Sequence, residues 1–100
     1  MDSSSELERQ FTIKLRGIYN EAAKFGYRPT YFLRMVEKLG GLNTARALLQ
    51  KGVSKGLMRL AEEHRLDISM ESLVLTEPWS SLFTDEEKAQ AQSALDSVRF

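Results

Sequence analysis

The chain has 100 residues, 42% of them hydrophobic, 28% charged and 9% aromatic, which suffices for one core, so residues 1–100 are expected to fold as a single domain. With no cysteine it excludes disulfides and thiolate chemistry, and with no run near the ~20 apolar residues of a membrane span or the pattern of an export signal, a cytoplasmic location without membrane association is expected. The formal net charge is zero, yet from Arg9 to Arg59 eleven bases face two acids, a stretch of +9, while from Leu66 to Phe100 seven acids face two bases, a stretch of −5.

Residues 1–5 read as a flexible N-terminus whose serines can cap a helix. Leu7, Phe11, Leu15, Ile18, Ala22 and Phe25 then recur every three or four positions, the spacing of one long amphipathic helix. Gly26 stands where a left-handed terminator is wanted, and Pro29 suits the first turn of a second helix with Tyr31, Phe32, Met35, Val36 and Leu39 as its apolar stripe. On that reading Tyr31 is a core residue. Gly40-Gly41 stops this helix, and Asn43 or Thr44 is expected to cap a third, which carries Ala45, Leu48 and Leu49 to Gly52. Ser54 caps a fourth helix with Leu57, Leu60 and Ala61 buried and Met58 beside them, before the polar run Glu62-Glu63-His64-Arg65. Leu66 and Ile68 return to the core. Met70 to Leu75 has the apolar character of a strand, but Ser69 is a helix cap, which favours a short helix. Glu77-Pro78-Trp79 predicts a corner or a single turn with Trp79 as a lid on the core. Thr84-Asp85-Glu86-Glu87 has the form of a capping box opening a last helix with Ala91, Ala94, Leu95 and Val98 on its inner face, its end fraying near Phe100. The fold expected is all-α, a compact bundle of five to six short helices with a long N-terminal helix.

Chemistry is sparse. His64 is the sole histidine, and although Glu62, Glu63 and Asp67 are near it in sequence, a solvated helix end explains the cluster without a metal or a catalytic role. Glu71, Glu77 and Asp85 to Glu87 are accounted for by helix N-termini and turns. Gly40-Gly41 before Asn43-Thr44 lacks the lysine and serine of a phosphate loop, so a helix-to-helix turn is expected, and the Gly52/Gly56 spacing of membrane helix pairs lies in a polar context. No catalytic residue, cofactor or metal is expected.

The segment from Thr44 to Leu60 has the outline of a helix-turn-helix. Read as a DNA-binding unit, it would present Ser54, Lys55 and Arg59 to a groove with Arg46 and Lys51 on phosphates, although Gly56 weakens the second helix by ~1 kcal/mol.

Tyr27-Arg28-Pro29-Thr30-Tyr31-Phe32-Leu33, Gly40-Gly41, the run from Arg65 to Leu75 and Leu82-Phe83-Thr84 together resemble a small uncharacterised bacterial helical domain, over roughly residues 27–95. That domain occurs alone or appended to larger proteins, some of them nuclease-like. The resemblance implies no activity and carries over no functional residue. The expected function is that of a non-enzymatic accessory or adaptor module whose basic half associates with nucleic acid or a nucleic-acid-processing complex through Arg28, Arg34, Lys38, Arg46, Lys51, Lys55 and Arg59. The alternative is a protein–protein interaction module binding an acidic protein, or a homo-oligomer joined by its basic and acidic halves.

Overall fold

Apolar side chains three and four residues apart put Phe11, Leu15, Ile18 and Ala22 on one stripe, and in the computed structural model that stripe is the buried face of α1 (Ser3–Ala23). The structure describes residues 3–99; of the expected flexible terminus at residues 1–5, Ser3 to Ser5 instead belong to α1, while Met1 and Asp2, like the expected fraying at Phe100, lie outside the described residues. The chain leaves α1 at Gly26, whose φ of 86° lets Gly26 N–H donate to the Ala23 carbonyl and Tyr27 N–H to that of Ala22.

Pro29 then precedes α2 (Thr30–Leu39), which buries Val36 and packs Phe32 against the core. Tyr31 departs from expectation: it is 71% exposed, because the Phe32–Val36 line faces inward and leaves the neighbouring position at the edge of the stripe. The start of α3 (Gly41–Lys51) also differs, since neither Asn43 nor Thr44 caps it. Gly40, at φ 82°, ends α2 and begins α3 on one residue, and the first α3 amide, Gly41 N–H, donates to Thr12 Oγ1 across the bundle at 2.9 Å. Asn43 donates back to the Leu39 carbonyl, and Thr44 is wholly buried with no partner for its hydroxyl among the described residues. A cap supplied from α1 has replaced the local one.

Ser54 caps α4 (Lys55–Glu62) by accepting from Leu57 N–H, and His64 closes it in the left-handed region at φ 57°, with Arg65 N–H donating to Leu60 O. After a 3-10 turn at Leu66–Ile68, Ser69 caps α5 (Met70–Val74); the segment that resembled a strand is helical. A second 3-10 turn spans Trp79–Leu82, and α6 (Asp85–Val98) opens with the expected capping box, Glu87 N–H donating to Thr84 Oγ1 and Thr84 N–H to Glu87 Oε1. The protein is therefore all-α, six α-helices with no strand among the described residues.

Two apolar clusters hold the bundle. The larger joins α1, α2, α3, α5 and α6 through Phe11, Leu15, Val36, Leu49, Val74 and Ala91, with Phe83 edge-on to Phe11 at 5.4 Å and Trp79 over Phe11 at 6.0 Å, the lid position expected of that tryptophan. The smaller joins α4 to α6 through Leu57, Ala61, Ala94, Leu95 and Val98. The small side chains of α6 let it approach both clusters at once. The Cα radius of gyration is 12.7 Å, against about 13 Å for a well-packed chain of this length.

Candidate binding cleft and its basic rim

The helices do not close everywhere. Between α2 and the α3–α4 turn lies an open cleft of about 540 Å³. Its floor is the buried side chains of Ile18, Leu60, Met70 and Glu71; one wall is Phe32 and Met35 of α2, the other Leu48 of α3. Tyr27 and Pro29 of the α1–α2 loop and the exposed Tyr31 form one side of the mouth, and Lys51, Ser54 and Lys55 form the other. The volume is that of a small-ligand or side-chain site.

Each rim residue is placed by a local feature. Pro29 ends the loop and sets the first turn of α2, which swings Tyr31 outward. Tyr27 is held by α4: a Cβ on Gly56 would come within 3.0 Å of the Tyr27 hydroxyl, and the Arg59 guanidinium lies 5.2 Å from the ring centroid. Burial pushes the Tyr27 phenol up from its ordinary range, opposed by the Arg59 charge. The glycine that weakened the fourth helix in the sequence thus makes room for an aromatic wall.

Glu71 is the unusual group on the floor. It is only 5% exposed, and no side chain donates to its carboxyl among the described residues, so the group that favours its charged form is its own backbone amide. Burial pushes its carboxyl above the usual carboxylate range, offset in part by that amide. Its position in the first turn of α5 is where the dipole favours acids, as expected, but its burial at the cleft was not legible, because a five-residue helix is too short to show which side faces inward.

The expected cationic residues divide into two groups. Arg46 is engaged: its guanidinium donates to Glu87 at 2.9 Å and to the Leu82 carbonyl at 3.3 Å, tying α3 to α6. Arg59 is engaged as well, paired with Glu63 at 3.2 Å and lying over Tyr27. Lys51 and Lys55 line the cleft, Arg28 sits in the loop between the lining residues Tyr27 and Pro29, and Arg34 and Lys38 lie one turn apart on α2, all five exposed and without an acidic partner among the described residues. Lys14 and Arg16 of α1 are exposed and unpaired in the same way; position in the chain could not separate them from Arg9 and Lys24, which pair with Glu6 and Glu21.

The helix-turn-helix outline is present as α3, a turn at Gly52–Ser54 and α4, but Ser54 is occupied as a cap and Arg59 as a pair, leaving Lys55 as the unengaged member of that trio. His64 is exposed and serves as the residue that ends α4, while Glu63 is bound by Arg59 and Asp67 by Arg65. Among the described residues no three His, Cys, Asp or Glu side chains converge as metal ligands, and no helix is long and apolar enough to cross a membrane. Comparison with protein-family models, curated proteins and solved structures finds no match to this chain.

Proposed function

We propose that the protein is a non-enzymatic accessory or adaptor module of the cytoplasm whose basic N-terminal half associates with nucleic acid or a nucleic-acid-processing complex. One observation carries this reading: every cation without an acidic partner among the described residues (Lys14, Arg16, Arg28, Arg34, Lys38, Lys51 and Lys55) lies between positions 14 and 55, and two of them border the cleft. Unpaired surface cations are the groups that can exchange small counterions for phosphates, which makes such binding strong at low salt and weak at high salt.

Association through oppositely charged halves has less to draw on. From Leu66 onward among the described residues, Asp67, Asp85, Glu87 and Asp96 each have a basic partner, Glu77 accepts from Ser80 and Glu71 is buried, which leaves Glu86 as the one exposed, unengaged carboxylate. The test is fluorescence anisotropy with single-stranded and duplex DNA and RNA over a salt series. Binding near ~50 mM salt that weakens log-linearly as salt rises is expected, and no binding at that ionic strength would overturn the proposal.

A further inference from the structure

The cleft joins two lysines that have no acidic partner among the described residues to two features that a plain phosphate-binding surface does not need: an apolar lining with aromatic side chains, and a buried carboxyl without a side-chain partner among the described residues. We propose that it is a nucleobase pocket for an unstacked guanine, with Glu71 accepting from the ring N1–H and the exocyclic amino group, the ring against Tyr27 and Phe32, and the attached phosphate at Lys51 and Lys55. This rests on the reading that the basic N-terminal half engages nucleic acid.

The chemistry selects the base. A carboxyl group on a pocket floor has two oxygens to satisfy, and a ligand that brings two donors in place of water can meet both. Guanine presents two adjacent donors on its Watson–Crick edge. Adenine and cytosine present an amino group beside an acceptor, and uracil and thymine a single N–H between two carbonyls, so each of these sets an acceptor against a carboxyl oxygen. An unstacked base needs flat apolar surface against its faces, for which the lining offers the aromatic side chains of Phe32 and Tyr27, and the cleft's volume of about 540 Å³ leaves room for the sugar. Lys51 and Lys55 line the same cleft and are exposed, so they are available to the phosphate attached to an inserted base. The burial that raises the Glu71 pKa fits a group whose charge is compensated only when donors arrive.

The test uses thymine-rich single strands of about ten nucleotides with one central guanine, inosine or adenine, titrated by anisotropy at low salt. The guanine strand is expected to bind about tenfold more tightly than the adenine strand, with inosine, which lacks the amino donor, in between. Glu71→Gln, which keeps the side-chain volume, should abolish that discrimination while leaving salt-sensitive binding of all three strands. Amide shifts at Met70 and Glu71 on adding guanosine monophosphate, and not adenosine monophosphate, would extend the pocket to free nucleotides; shifts with the guanine strand alone would restrict it to strands, and either supports the assignment. Equal affinity for the three strands, or a guanine preference that survives Glu71→Gln, overturns it. Salt-sensitive binding without base preference removes the base pocket alone, whereas no binding by any strand removes the proposed function with it.

Discussion

A Cβ placed on Gly41 would lie 2.7 Å from Thr12 Cα, a backbone atom that cannot move aside without shifting α1, whereas a Cβ on Gly17, within α1, would meet nothing within 4 Å. Gly41→Ala is therefore expected to destabilise the protein by about 1–3 kcal/mol through overpacking at the α1–α3 contact. Gly17→Ala should stabilise it by about 0.5–1 kcal/mol by removing glycine's backbone entropy from a helix interior. Urea denaturation of the two variants checks both signs at once. Glu71 makes a third residue-level case. Unfolded, its carboxyl ionises near 4.5, and folded it holds its proton to higher pH, so the folded state binds more protons in between. The stability it permits is full below about 4.5 and is lost as pH rises through the raised folded value. Glu71→Gln should accordingly raise the melting temperature at about pH 7 and change it little at about pH 4; an equal gain at both would show that burial does not act on the charge.

At the level of elements, α6 joins a capped N-terminus to an apolar face on which Leu95 and Val98 supply most of the buried area and Ala91 and Ala94 little. Thr84 and Glu87 satisfy two backbone donors there, and Glu87 also holds Arg46 from α3. Thr84→Ala is expected to cost about 1 kcal/mol, the usual value of a lost cap. Glu87→Ala should cost more than Thr84→Ala in thermal melts, since it opens the cap and also leaves the half-buried Arg46 without its acid. Caps of this kind were legible in the sequence, as Ser54, Ser69, Thr84 and the terminator Gly26 show, because each acts within four residues of itself. The α3 start was not legible, because its first amide is capped by Thr12, 29 positions away.

For the molecule as a whole, the zero net charge conceals a division of labour among its cations. Lys51→Ala with Lys55→Ala should weaken oligonucleotide binding and lower the salt slope by about 0.7 for each lysine that meets a phosphate of a single strand. Arg46→Ala should leave that slope unchanged and lower the melting temperature, because Arg46 is spent on Glu87 and Leu82. Anisotropy and melting curves on the same variants separate the two roles. The sequence by itself determined the helical class, most helix ends and the inward stripes, since periodicity and capping are local and 3.6 residues per turn fixes which side chains share a face. Only the tertiary structure decided that Tyr31 lies at a cleft mouth, that Glu71 is buried on its floor, and that Arg46 is bound while Lys51 and Lys55 are not. Those outcomes depend on which surfaces meet: the Arg46–Glu87 contact joins residues 41 positions apart, a distance over which neither spacing nor charge runs carry information about pairing.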